Sequence, residues 1–245
     1  MTEPYILIIP DIHEEYATLK RILVAHEDAE LTVFLGDYFD THNNNGEVTE
    51  ATHLTAMWLS KAVMNPRYRM LRGNHDMHYC YPNVPDLRCS GYNTERSFVI
   101  ATHMQRQHWL RTYLHYWING AGKDWLCTHA GLHPSFISHE EPLKTQLLKL
   151  ESRTNETLDT NHFGTAFVAA GHCSGGWHPV GGVTWLRPCD FRPIPDVNQL
   201  MGHTIHEKPT RRIGENSTNW WLDTQLQHYG IMTKDKFTIK KVADL

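Results

Sequence analysis

The sequence predicts an α/β fold, a two-sheet β sandwich flanked by helices, with a cluster of ligand-type residues in loops at the strand ends. Short apolar runs recur along the chain, most of them followed by islands of Asp, Asn and His, at residues 11, 37, 74, 129 and 203. The opening third alternates strand, helix, strand, helix, strand, the pattern of a layered βαβ sheet. The final stretch, Trp220 to Val242, alternates enough to add further strands.

Tyr5 to Ile9 is a continuous apolar run of the kind that forms a buried strand. Residues 14 to 26 place Leu19, Ile22, Leu23 and His26 at helical spacing. Leu31 to Leu35 is a second apolar strand ending at Gly36-Asp37, and Thr41 to Gly46 is a polar loop with three consecutive Asn. Residues 48 to 64 read as a helix that Asn65-Pro66 ends. Tyr68 to Leu71 is a third strand, running into Arg72-Gly73-Asn74-His75. Residues 77 to 120, rich in Tyr, His, Trp and Arg, read as a partly helical insertion. The spacing of Tyr113, Tyr116 and Trp117 points to helical core packing there. Trp125 to Thr128 is a strand, 140 to 152 a helix, and Phe167 to Ala170 a candidate strand. Gly171 to Gly182 is a Gly-rich loop, and Val197 to Met201 leads into Gly202-His203. No repeat, linker or boundary divides the chain, so a single domain over residues 1–245 is expected, with insertions near 77–120 and 132–182.

With 40% apolar and 20% charged residues, the chain of 245 residues has the makings of a buried core. A net charge of −4 does not suit a protein that coats nucleic acid. Five Cys without a C-x-x-C pair argue against a disulfide framework and for reduced thiols in the cytoplasm. The N-terminal run lacks a basic flank and reads as a strand rather than a signal peptide. No apolar run approaches the roughly 20 residues that span a bilayer.

The chemistry lies in the islands. In Asp11-Ile12-His13 an extended backbone sends the outer two side chains to the same side, where they could hold one cation. Asp37 suits a position between two ions. Asn74 offers a neutral oxygen, and His129 and His203 offer imidazole nitrogens. Oxygen and imidazole together suit Mn²⁺, Fe²⁺ or Zn²⁺. Glycines before Asp37, Asn74 and His203 allow sharp turns at strand ends.

These pieces (Asp11-x-His13, Gly36-Asp37-x-x-Asp40, Gly73-Asn74-His75-Asp76, His129-Ala130-Gly131 and Gly202-His203-Thr204) resemble the calcineurin-like metallophosphoesterase superfamily. The branch they resemble is that of phage and bacterial Ser/Thr phosphoprotein phosphatases and symmetrical diadenosine tetraphosphate hydrolases. Trp185-Leu186-Arg187 and Trp221-Leu222-Asp223-Thr224 match the same branch. The resemblance implies a dinuclear-metal-dependent phosphoric ester hydrolase that uses a metal-bridging hydroxide. By it, Asp11, His13 and Asp37 hold one ion, and Asp37, Asn74, His129 and His203 hold the other, with Mn²⁺ the first choice and Fe or Zn the alternatives. His75 is then the general acid, oriented by Asp40, and Arg72 and Arg187 hold the phosphate. The charge count agrees, since two divalent ions less Asp11, Asp37 and a hydroxide leave a residual positive charge suited to a phosphoryl dianion.

The expected substrate is a phosphoprotein. A nucleotide or dinucleoside polyphosphate is the alternative, and phosphodiester or nucleic-acid cleavage or a non-catalytic metal-bound scaffold are remoter readings. No membrane partner is expected, and the oligomeric state is open. The sequence departs from the branch after Asp40, where Thr41-His42 stands in place of Arg-Gly. Arg96, Arg106 and Arg111 of the insertion are candidates to replace that guanidinium. His206 is one position too late for a G-H-x-H motif and reads as a supporting or surface residue. His172 is a rival to His203, and the order of the motifs favours His203.

Overall fold

The computed structural model describes residues 3–41, 47–138, 140–162 and 164–245. The expected loop over 41–46 therefore falls, beyond Thr41, outside the described residues.

The opening third folds as its alternation predicts. Strand β1 (Ile6–Ile9), helix α1 (Tyr16–Ala25), strand β2 (Leu31–Phe34), helix α2 (Glu50–Ala62) and strand β3 (Tyr68–Met70) follow in order. The three strands are parallel neighbours, with Ile8 opposite Val33 and Phe34 opposite Met70. A capping box between Thr49 and Thr52 starts α2. Beyond β3 come three more helices, α3 (Asn74–Cys80), α4 (Thr94–His103) and α5 (Arg106–Trp109). Strands β4 (His115–Gly120) and β5 (Lys123–Thr128) form an antiparallel pair. Helix α6 (Leu143–Asp159) precedes β6 (Asn198–Met201), β7 (Thr210–Gly214), β8 (Ser217–Trp221), β9 (His228–Met232) and β10 (Phe237–Lys241).

Two mixed five-stranded sheets result, in the orders β10-β9-β1-β2-β3 and β4-β5-β6-β8-β7. Between them lies a core drawn from both, including Ile8, Val33, Leu71, Trp125, Cys127 and Leu200. The alternate residues on the same strands, Leu7, Ile9 and Phe34, pack on the opposite face in a second core that also holds Leu19 and Ile22 of α1 and Leu59 of α2. The two-residue alternation of β1 and β2 thus explains why their sequence is apolar but for the buried Thr32, since both faces are covered.

Two expectations fail, and one strand went unpredicted. Tyr116 and Trp117 lie on β4, and Tyr113 precedes it in a bridge between Leu71 and Tyr113. A three-residue spacing of aromatics is shared by helices and strand edges, and pairing with β5 decides it. Phe167–Ala170 is no strand; Ala166–Val168 is a single turn of 3-10 helix. Its carbonyls are taken instead by the Gly-rich loop, with Val183 N donating to Phe167 O and Gly182 N to Ala169 O. The polar, Arg-containing β7 gave no apolar signal; it pairs with β8 at the sheet edge. Among the described residues, no helix is long and apolar enough to cross a membrane.

Leu200 is wholly buried between the sheets. Leu200→Ala is expected to lower stability by about 2–5 kcal/mol, read as a lower denaturant midpoint with an unchanged slope.

Candidate metal centre

The strand ends converge on Asp37. Its backbone carbonyl accepts from the Ile12 and His13 amides, each at 2.9 Å. Its amide donates to Asp76 Oδ2 at 2.7 Å, and its Oδ1 accepts from the His75 amide at 2.9 Å. Its Oδ2 lies 3.2 Å from His129 Nε2 and 3.7 Å from His13 Nε2. Residues from three other loops therefore touch one aspartate.

Two groups of ligand atoms share that residue. Asp11, His13 and Asp37 form one, and Asp37, His129 and His203 the other, the atoms of each lying within 4.8 Å of one another. Asn74 Oδ1 joins the second group, 3.0 Å from His129 Nε2, and His203 Nδ1 lies 3.2 Å from the same nitrogen. All six sequence-predicted ligands are thus brought together and buried. His172, the rival, is exposed, with Nε2 against the Trp177 carbonyl. His206 stands outside both groups, its amide donating to Asp223 O.

The imidazoles are oriented for ligation. His13 Nδ1 lies 2.8 Å from the Phe39 carbonyl and His129 Nδ1 2.9 Å from the Leu35 carbonyl. A carbonyl only accepts, so each Nδ1 carries a proton, and each Nε2 is the ring atom turned toward Asp37. His203 Nε2 is buried without a hydrogen-bond partner. Packing Asp11, Asp37 and Asp223 into one dry site is unfavourable by itself. Burial, then neighbouring Asp223, raises the pKa of Asp11 well above the carboxylate range, and burial, then Asp37, raises that of Asp223 to about 6. Divalent cations are the missing partner such a donor set fits.

The backbone is strained where the ligands sit. His13, Asp37, Asp40 and His203 have φ of 44°, 52°, 63° and 67°, a region L-residues with side chains rarely adopt. Close approach explains two glycines. A Cβ at Gly73 would meet Asp37 Oδ1 at 2.0 Å, and one at Gly202 would meet Asp11 Oδ1 at 1.8 Å. Asp76 ties the loops by accepting from the amides of Asp37, Tyr38 and Gly73.

His75 flanks the cluster with Nδ1 2.9 Å from Asp40 Oδ2. Burial opposes a charged ring, but Asp37 and Asp40 outweigh it and raise the His75 pKa. Asp40 is itself fixed by His78 Nε2 at 3.0 Å, by the Tyr79 hydroxyl, and by Arg96 Nη1 at 2.9 Å. Arg96 also pairs with Glu14 at 3.0 Å and is fully buried. It therefore supports Asp40 and does not replace the guanidinium absent after Asp40. Arg106 pairs with Asp159 on the far side of the insertion. Sequence reading overlooked His78 and Arg96 as supports of Asp40. The spacing of His75 and His78, three apart at a helix start, was the available signal for His78.

Arg187 lines a cavity of about 200 Å³ together with His13, Asp37, Asn74, His75, Ser90, Trp185, His203 and Asp223. Arg72, expected to point at the same place, does not. Its guanidinium is buried against the Tyr81 hydroxyl at 3.0 Å, Asn155 Oδ1 at 3.0 Å and Glu151 at 3.6 Å, joining β3 to α6. Leu71 points between the sheets, so the next residue on the extended backbone points the other way. A larger cavity of about 680 Å³ adjoins the smaller, sharing Ser90, Trp185 and Arg187 and extending past Arg88 to Trp177. It is larger than the ligand cluster's own cavity, yet the chemistry lies in the smaller one, where the carboxylates and imidazoles face.

The family model for calcineurin-like phosphoesterases matches residues 4–206. No curated protein matches the chain. Among solved structures, the cold-active protein-tyrosine phosphatase of a psychrophilic Shewanella species is similar over 100% of this chain and 80% of its own, with TM-score 0.64 and 16% identity. A protein of Pyrococcus horikoshii OT3 is similar over 98% of this chain and 91% of its own, with TM-score 0.52 and 8% identity. A protein serine/threonine phosphatase from Saccharomyces cerevisiae is similar over 97% and 79%, with TM-score 0.50 and 15% identity. At these identities the likeness is one of fold.

Gly202→Ala should drive a methyl group into Asp11 and deplete the bound metal while the protein still folds. Elemental analysis beside far-ultraviolet circular dichroism checks this; full metal content in the folded variant would contradict the close approach.

Proposed function

The chain belongs to the calcineurin-like phosphoesterase family of metal-dependent phosphoric ester hydrolases, and from that premise we propose that it is a phosphomonoesterase of the Ser/Thr protein phosphatase type. The observation that carries this reading is the shape of the site. A cavity of about 200 Å³, large enough for a phosphoryl group, opens past Arg187 into a cleft of about 680 Å³ walled by the exposed Trp177. That arrangement suits a small terminal phosphate carried on a longer chain.

In this reading Asp11, His13 and Asp37 hold one ion, and Asp37, Asn74, His129 and His203 hold a second. Mn²⁺ fits the mixed oxygen and imidazole donors, as do Fe²⁺ and Zn²⁺. When bound, such a pair activates water and neutralises phosphoryl charge. Arg187 orients the phosphate by charge-assisted hydrogen bonds. Its Nε donates to Ser174 Oγ at 3.0 Å, and its side chain lines the cavity. His75 donates a proton to the leaving oxygen, its ring held by Asp40, whose own position Arg96, His78 and Tyr79 fix. Ser90 and Trp185 wall the cavity between His75 and Arg187 and limit water around the transferred group.

A nucleotide or dinucleoside polyphosphate hydrolase is the alternative, because Trp177 and Trp185 could also stack on a base. The deciding experiment is a panel of aryl phosphate, bis-aryl phosphate, phosphopeptide, dinucleoside polyphosphate and single-stranded nucleic acid, each with Mn²⁺. Turnover of phosphopeptide and aryl phosphate above the rest is expected, and preference for the dinucleoside polyphosphate would overturn the assignment. His75→Asn should lose about 10²–10⁴ in kcat with metal retained. Arg187→Ala should lower kcat/KM about tenfold or more, since a hydrogen bond to a charged group contributes about 1.5–3 kcal/mol. Unchanged kinetics in either variant would remove that residue from its role.

A further inference from the structure

A second group of ligand atoms lies away from the Asp and His cluster. Cys173 sits in the turn His172–Ser174 of the Gly-rich loop, and Cys189 and Asp190 follow Arg187 on the facing segment. Their ligand atoms all lie within 4.8 Å of one another, and the two Sγ atoms are 3.0 Å apart. Both cysteines are exposed, so a cation reaches them without opening the fold. Asp190 is half-buried, and its Oδ2 is enclosed with no hydrogen-bond partner. An enclosed carboxylate oxygen without a donor, beside two thiols, lacks a positive partner.

We propose that Cys173, Cys189 and Asp190 form a second metal site, taking one borderline divalent cation of the zinc class with solvent as the fourth ligand. Two sulfurs and one oxygen fit tetrahedral Zn²⁺ and exclude Mg²⁺ or Ca²⁺, which require oxygen. Each thiol loses its proton to solvent as the ion binds, and no electron is transferred. A disulfide is the competing use of the pair. It would require closing the sulfurs to about 2.05 Å, and it would leave the Asp190 oxygen still without a partner.

The position suggests what the ion does. Ser174, next to Cys173, accepts from Arg187 Nε, and Cys189 lies two residues beyond Arg187. One ion would therefore brace both segments that hold Arg187. This consequence rests on Arg187 as the phosphate ligand; the site itself does not.

The test is titration of Cd²⁺ into Mn²⁺-loaded protein kept reduced with a phosphine. The six ligands of the dinuclear centre are oxygen and nitrogen donors, so an ultraviolet sulfur-to-cadmium charge-transfer band reports thiolate ligation alone. The band should saturate at one equivalent. It should persist in Cys89→Ser, which removes the thiol beside His75, and vanish in Cys173→Ser and in Cys189→Ser. Asp190→Ala should weaken Cd²⁺ binding about tenfold or more, by loss of one charged ligand. No band in the reduced wild type, or a band that survives both Cys173→Ser and Cys189→Ser, would overturn the site. For the brace, KM for aryl phosphate should rise in Cys173→Ser, and adding Cys173→Ser to Arg187→Ala should raise KM no further than Arg187→Ala alone. A band with an unchanged KM would refute the brace and leave the metal site, and the phosphoesterase reading, standing.

Discussion

Asp37 is the point on which the rest of the structure depends. Its backbone carbonyl anchors the first loop through Ile12 and His13, its amide is anchored by Asp76, and its carboxylate receives the His75 amide. The same carboxylate faces His13 and His129 from opposite ligand groups. Four loops far apart in sequence thus share one side chain. The left-handed φ of Asp37 and the glycine at 73 go with that crowding, since a Cβ at 73 would run into the Asp37 carboxylate. Strain of this kind costs of order 1–3 kcal/mol per residue and persists only where the surroundings over-determine it. Here the two sheets and the core between them supply that constraint.

Around Asp37 the site is a balance of like charges. Burial and mutual repulsion disfavour the carboxylates of Asp11 and Asp223, while His129 moves them back toward ionisation. Asp40 is handled differently. It is held ionised by His75, His78 and Arg96 despite burial, so its charge is compensated by protein alone. This separates the two carboxylate environments. One set is left with electrostatic need that cations fit, and the other builds a rigid support for His75. The insertion over 77–120 contributes that support through Tyr79 and Arg96, and through the Asn93 side chain that caps α4 by accepting from the Arg96 amide at 3.0 Å. A segment that reads as an aromatic-rich addition is in fact built into the site.

Much of this was legible because the relevant physics is local. An apolar run followed by Gly-Asp or Gly-Asn-His names a strand, its end and the polar atoms displayed there. What was illegible depends on direction or on distant pairing. Arg72 adjoins Gly73 in sequence, but the alternation of extended backbone turns it toward Tyr81 and Asn155. The aromatics at 113, 116 and 117 satisfy a helical spacing, yet cross-strand hydrogen bonds with β5 place the last two in a sheet. Phe167 to Ala170 is apolar enough for a strand, but its carbonyls bond to a loop and no ladder forms. The approach of Cys173 to Cys189 is a product of the fold, and no spacing rule encodes it.

The central claim is that one carboxylate couples two cation sites, and metal stoichiometry of Asp37→Asn tests it most directly. Wild-type protein, stripped and reloaded with Mn²⁺, should hold two ions at the Asp and His cluster. The Asn variant, folded as judged by its circular dichroism, should hold at most one, weakly, because both ligand groups lose the same charged oxygen. Two ions bound with wild-type affinity would contradict the account.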